Sequence, residues 1–328
     1  MKKEISIDLH LHFDGSLSMS NARALAALEG VALPESDAEL RRALTVEPDC
    51  KDLGEYLTKF AFPLALLQSE ASIEQGMLCL CRELMAENCI YAEIRFAPQL
   101  HLDKGLDQRR VVEAALRGFK ASGIDGGLIL CCMRGDDNAE LNETTVDVAG
   151  EYLGRGVVAL DLAGNEAGFP THSFNQLFAR AKEKGIPFTI HAGEADCAES
   201  VRCALGMGAK RIGHGVRSIE DAELVKELVE KKIALELCPI SNIQTTVFDD
   251  ISEYPIREFL RAGVAVTVNS DNRSVSATTA RGEMLLLKNA FKLSDEEEKE
   301  LLHSSVRAAF ASEEIKAKLH ALVEDAFS

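Results

Sequence analysis

The chain has 328 residues and is 46% hydrophobic, enough to bury the core of one large α/β domain or two ordinary ones. Its 36 basic and 53 acidic side chains leave a formal charge of −17, which argues against a nucleic-acid partner and says nothing against a neutral small substrate. The opening MKKEISIDLH lacks the apolar core of a secretory signal and no run of about eighteen apolar residues follows, so a cytoplasmic protein with no membrane partner is expected.

In chain order, the first apolar run is EISIDLH (4–10), continuing as LHFDGSL. Strand alternation puts His10 and His12 on one face, where they either share a metal or stand as polar residues at a strand end. Residues 14–88 then form an insertion with several helical pieces, including DLGEYLTKFAFPLALLQ (52–68), of the kind that builds a lid or pocket wall. Further short runs follow: YAEIRFA (91–97), GLILCCM (127–133), VVALDLA (157–163), PFTIHA (187–192), RIGHG (211–215), IALELC (233–238) and VAVTVN (264–269). Amphipathic segments such as 107–122, 173–185 and 220–232 separate them, and three more helices are expected at about 278–291, 295–310 and 312–327. Eight runs alternating with helices predict a (β/α)8 TIM barrel over 1–328, a single domain with a helical insertion after strand one and extra C-terminal helices. The pattern fixes no oligomeric state.

Nine cysteines are scattered without a paired C-x-x-C spacing; Cys79 and Cys81 lie in a helical pattern and others sit in apolar runs. Buried free thiols are therefore expected, not a disulfide framework or a thiolate zinc site.

In such a barrel the chemistry gathers at the carboxyl ends of the strands. There stand His10, His12 and Asp14, then His191 and Glu194 in HAGE, His214 in GHG, and Asp271 and Asn272 in NSDN. Taken singly, each is an ordinary rim residue or helix cap. Together, nitrogen and carboxylate donors without thiolate suit a catalytic zinc with an open position, although iron or another transition metal accepts the same donors. A metal-activated water implies hydrolysis. Glu194 is placed to protonate the attacked group provided burial raises its pKa against a nearby helix N-terminus, whose dipole favours the charged form. The fourth run ends in LDLAGNE with no lysine to bridge two metals, so a mononuclear centre is expected.

The segments HLHFDGSL, AEIRFAPQLH (92–101), DLAGNE, HAGE, RIGHG, CPISN (238–242) and VNSDN resemble, in order and spacing, the adenosine deaminase family, a mononuclear-zinc branch of the amidohydrolases. The H-x-E and P-C-x-x-C signature of the cytidine-type zinc deaminases is absent. The resemblance implies one Zn2+ per chain held by His10, His12, His191 and Asp271, a separation of His214 from the ligands that spacing alone does not supply. It implies that His214 is the base that orients and deprotonates the zinc-bound water, with Asp271 in the catalytic set. Glu194 would give a proton to purine N1 so that hydroxide adds at C6 and ammonia leaves. The substrate contacts implied are His12, the Gly164 amide to purine N3, Asp14 to a ribose hydroxyl, and Leu57 and Phe60 of YLTKFAF as an apolar gate. Ser241 and Asn242 are expected at the rim or behind the contacting residues.

The family commonly has a second aspartate facing purine N7 where this chain has Asn272; an amide is always a donor, so the interaction is expected to survive. Relatives acting on adenine tend to carry Glu, and those acting on methylated AMP Asn, at the position of Asp14. The expected reaction is zinc-dependent deamination of adenosine and 2′-deoxyadenosine to inosine and 2′-deoxyinosine in purine salvage. The alternatives are adenine or aminodeoxyfutalosine as substrate, or a nucleoside-binding barrel without catalysis.

Overall fold

The computed structural model describes residues 3–328. Eight parallel strands appear where the apolar runs stand: β1 (Ser6–His12), β2 (Cys89–Phe96), β3 (Gly126–Met133), β4 (Val157–Ala163), β5 (Thr189–Ala192), β6 (Arg211–His214), β7 (Ala234–Leu237) and β8 (Val266–Val268). They pair in sequence order as two four-stranded sheets, β1 to β4 and β5 to β8. Two seams close them into one barrel. Leu160 N–H donates to Pro187 O at 3.0 Å between β4 and β5, while His12 N–H to Asp271 O (2.7 Å) and Asp271 N–H to His10 O (2.8 Å) join β8 to β1. The second seam carries β1 to His12, two residues beyond the expected end, and places two histidines and an aspartate side by side.

The strands are buried on both faces, as in any barrel sheathed by helices, so they read as continuous apolar runs. Their few charges meet inside the barrel. Arg95 Nη1 donates to Asp161 Oδ2 (3.0 Å) and Nη2 to Glu236 Oε2 (2.8 Å); Arg211 bridges Glu236 Oε1 and Glu93 Oε2, each at 2.6 Å. These five fully buried residues form a charged floor under the carboxyl ends of the strands.

Local signals set the helix ends. Asp107 caps Gln108–Ser122, Asp221 caps Ala222–Lys231, and Ser294 and Ser312 cap Asp295–Ala308 and Glu313–Ala326. The last two helices pack Leu302, Val306, Leu319 and Val323 against Ile7, Leu9 and Tyr91. The expected helix at 173–185 is shorter, Asn175–Glu183, because a 3-10 turn over Thr171–Phe174 leads into it. The stretch 52–68 breaks into Leu53–Leu57, a 3-10 turn Thr58–Phe60, and Ala61–Ala65. Pro63 explains the last break: its ring tolerates a first helical turn but would clash with the carbonyl four residues earlier in a continuous helix.

All nine cysteines are free. Among the described residues no helix is long and apolar enough to cross a membrane.

Candidate active site

The site is built from the floor upward. Glu236 Oε2 lies 2.8 Å from His10 Nδ1, and Asp161 Oδ2 lies 2.9 Å from His191 Nδ1. The Glu236 hydrogen bond at Nδ1 fixes the His10 tautomer and turns its Nε2 lone pair toward the barrel mouth, while Asp161 stands as the ion-pair partner behind His191. His10 Nε2 is buried without a protein hydrogen-bond partner. His12 Nε2 stands 3.2 Å from His191 Nε2, and Asp271 Oδ1 lies 3.4 Å from both His10 Nε2 and His12 Nε2. Donor atoms of His10, His191, His214 and Asp271 also fall within 4.8 Å of one another, so distance alone leaves His12 and His214 as rivals for a fourth ligand.

A polar contact holds His214 from behind. The Tyr254 O–H donates to Asn242 Oδ1 at 3.1 Å. Asn242 Nδ2 lies 3.1 Å from His214 Nδ1. Burial, followed by the neighbouring His10, holds the His214 pKa well below its ordinary value, so the ring is neutral.

His214 and Asp271 are non-glycine residues at φ 56° and 57° at the ends of β6 and β8. Left-handed backbone at such residues is costly and clusters where geometry serves function.

Glu194 Oε2 lies 3.6 Å from His214 Nε2, and Thr245 Oγ1 reaches Glu194 Oε1 at 3.5 Å. The expected helix dipole is not a competitor, because the nearest helix starts at Ala198, four residues on. Burial raises the Glu194 pKa well above the carboxylate range, and the charges of Asp271 and Glu166 push it further. Asp14 is pushed up to about 6 by burial.

A cavity of about 330 Å3 opens over these groups, lined by His12, Asp14, Leu57, Phe60, Met133 and Gly164 among others. It adjoins a smaller recess lined by His12, Gly164, His191, Glu194, His214, Asp271 and Asn272. The two share Leu57 and Phe60, so the insertion does wall the site. Gly164, at φ 101°, exposes main chain to the cavity where a side chain would be strained. Asn272 Nδ2 donates to Asp271 Oδ1 at 2.7 Å, and Gly15 is the residue that admits it, since a Cβ there would fall 1.9 Å from Asn272 Oδ1. Of the candidate residues named from the sequence, His12, Asp14, Leu57, Phe60, Gly164, His191, Glu194, His214, Asp271 and Asn272 line the cavity or the recess, and His10 stands beside Asp271. Sequence reasoning missed Arg95, Asp161, Glu236 and Glu166, and left Asn242 without a specific role. The signal for the first three is a charge inside a run buried on both faces, which is uncommon without a partner.

A closed parallel barrel with converging imidazole and carboxylate donors at its carboxyl face, a neutral histidine and a buried acid beside them defines a metal-dependent hydrolase of the amidohydrolase kind. The family model described as Adenosine deaminase matches residues 6–326. The chain is 46% identical to an adenosine deaminase of Haemophilus ducreyi over 330 residues, covering 98% of this chain and 96% of that one, and 37% identical to an adenosine deaminase of Enterococcus faecalis, with 98% and 96% covered. The solved structure of an adenine deaminase from Arthrobacter aurescens superposes with a TM-score of 0.87 at 28% identity, covering 98% of this chain and 99% of that one. The chain belongs to the adenosine deaminase family; it is a hydrolytic deaminase acting on a purine nucleoside or base.

Proposed function

We propose that the protein deaminates adenosine and 2′-deoxyadenosine, taking up water and releasing ammonia with inosine or 2′-deoxyinosine. The observation that carries the substrate choice is Asp14, a buried carboxyl two residues past His12 on the wall of the 330 Å3 cavity, positioned for a sugar hydroxyl beside the apolar Leu57 and Phe60. The likeness to the two adenosine deaminases supports the same choice.

His10, His12, His191 and Asp271 would hold one zinc ion. The fit rests on three imidazoles and one carboxylate without thiolate, on the unpartnered Nε2 of His10, and on carboxylates behind His10 and His191. When bound, the ion supplies the Lewis acidity that lets water attack near neutral pH.

The rest is the work of the chain. Glu194, kept protonated by burial, gives its proton to ring N1 and draws electron density from C6. Neutral His214, held by Asn242 at Nδ1, presents Nε2 to the donor cluster, where it orients the attacking water and serves as the nearby proton acceptor in the reaction. The Gly164 N–H faces N3. Asn272 spends one amide hydrogen on Asp271 and keeps the second for N7. Leu57 and Phe60 exclude water from the dry site.

The structural likeness to an adenine deaminase favours free adenine as the second reading. Ammonia release with adenosine, 2′-deoxyadenosine, adenine and aminodeoxyfutalosine, with and without chelator treatment, tests both. Fast, chelator-sensitive turnover of the two nucleosides alone is expected. Preference for adenine or aminodeoxyfutalosine overturns the substrate, and undiminished turnover in metal-free protein overturns the zinc centre.

A further inference from the structure

Glu166 ends the DLAGNE segment, two residues past Gly164, and takes no part in the steps above. It is 1% exposed, yet both carboxylate oxygens are fully used. Oε1 accepts Gly193 N–H at 2.7 Å and the Ser200 hydroxyl at 2.5 Å; Oε2 accepts the N–H groups of Glu194 (3.0 Å), Ala195 (2.8 Å) and Asp196 (3.1 Å). Every one of these partners donates, which the acceptor-only carboxylate satisfies in full. Successive main-chain amides folded around one anion form a nest.

The nest is the segment that carries Glu194 from β5 toward the helix at Ala198. The peptide groups of Glu194 are gripped on both sides: its N–H by Glu166, and its C=O by Arg217 Nε at 3.0 Å. Two clamps on one residue's main chain fix the direction of its Cα–Cβ bond. Ser200 Oγ continues the chain of contacts to Thr171 Oγ1 (2.7 Å), and Thr171 to Arg134 Nη2 (2.9 Å), which also donates to His191 O (2.6 Å). The loop after β4 is thereby locked to the end of β5.

We propose that Glu166 is a positioning residue: it organises the amides of 193–196 and so aims the Glu194 carboxyl at the substrate ring. The inference rests on the reading of Glu194 as proton donor. A misplacement of about 1 Å at a reacting group costs on the order of a hundredfold in rate, so loosening the nest should act on turnover more than on binding.

The test is a double-mutant cycle of Glu166→Gln with Glu194→Gln, followed by ammonia release from adenosine, with metal content and melting temperature measured on each protein. Glu166→Gln keeps length and volume but turns an NH2 toward amide hydrogens. The expected result is a kcat at least tenfold lower with KM within about twofold, and a further loss of less than about twofold when the same change is made in the Glu194→Gln background. Undiminished kcat in Glu166→Gln, or the full tenfold loss repeated in the Glu194→Gln background, overturns the inference. If Glu166→Gln does not fold, Ser200→Ala, which removes one donor from Oε1, is carried through the same cycle and decides by the same criteria with a smaller factor. An unaltered protein that releases ammonia from no tested substrate overturns the functional reading itself and takes this inference with it; active unaltered protein with a failed cycle overturns this inference alone.

Discussion

Asn242 Nδ2 lies 3.1 Å from His214 Nδ1, and that contact decides which nitrogen of the ring faces the donor cluster. Both residues are buried, so no water replaces the bond if it is lost. Asn242→Leu leaves Nδ1 without a partner, at a cost of about 1–3 kcal/mol, and frees the ring to turn away from the donor cluster. Turnover is expected to fall about tenfold or more, within that same range, while zinc content, read by elemental analysis, stays at the unaltered level because the proposed ligands are untouched. Loss of metal together with activity would instead place His214 among the ligands.

The buried floor makes a second prediction. Arg95 is the cation between Asp161 and Glu236, the two carboxylates behind His191 and His10. Burial works against the charge of both, and Arg95 is among the groups that hold their pKa values down. Arg95→Met takes the guanidinium from beside Asp161 and leaves Glu236 with Arg211, and should destabilise the protein by about 3–5 kcal/mol in denaturant melts. Zinc affinity measured by chelator competition should drop about 10- to 100-fold, because the carboxylates no longer orient the imidazoles in a fixed state. A stable variant with unchanged affinity would show that the floor is mere packing.

The barrel was legible because parallel strands buried on both faces are written as unbroken apolar runs, and polar residues at their ends stand out against them. His10, His191 and Asp271 needed only that contrast. The surroundings of His214 did not lie in any run: Asn242, and Tyr254 behind it, meet that ring only when β6 and β7 are side by side. The extension of β1 to His12 was equally nonlocal, since its last hydrogen bond goes to Asp271 across the barrel seam. Glu166 was within a quoted segment, but its task depends on the main-chain path of 193–196, about which side-chain pattern is silent. Arg95, Asp161 and Glu236 were the readable signals left over, three charges inside strands with no water to face.

Asn272 gives a third test. Its amide has one hydrogen on Asp271 and a second to offer, so Asn272→Ala should weaken transition-state stabilisation by about 1–3 kcal/mol, seen in kcat/KM for adenosine. Asn272→Asp must be protonated to bond a ring nitrogen, and its activity should fall more steeply with rising pH than that of the unaltered protein. Equal pH profiles and equal activity in all three proteins would remove Asn272 from substrate binding.

Glu283 offers a prediction about stability alone. Its carboxyl is buried, accepts Ile240 N–H at 3.0 Å, and has its pKa pushed up to about 8 from 4.5, by burial first and by the charges of Asp271 and Asp8 after the hydrogen bonds that oppose them. Between those two values the folded chain keeps a proton that the unfolded chain has released, so stability falls as pH rises from about 4.5 to about 8. Glu283→Gln retains the acceptor for Ile240 and cannot ionise. In metal-free protein the variant should match the unaltered chain at the acid end of that window and exceed it above the upper end by a few kcal/mol, about 5 at most. An equal difference at both ends would mean that the gain comes from packing.

Asp14 carries the substrate choice, and the nucleoside and the free base separate its role from that of the rest of the site. The carboxyl lines the larger cavity, whereas Glu194 and His214 line the smaller recess. Asp14→Ala therefore removes a contact to the sugar and leaves the groups that work on the purine ring in place. A lost charged hydrogen bond is worth about 1.5–3 kcal/mol, so kcat/KM for adenosine should fall about 10- to 150-fold. For adenine, which has no sugar to hold, the same change should alter kcat/KM by less than about threefold, well under 1 kcal/mol. The comparison is made on one preparation of each protein by ammonia release, with zinc content matched. Parallel losses on both substrates would mean that Asp14 supports His12 and not the ribose, and the preference for nucleosides would then have to come from the apolar wall of Leu57 and Phe60.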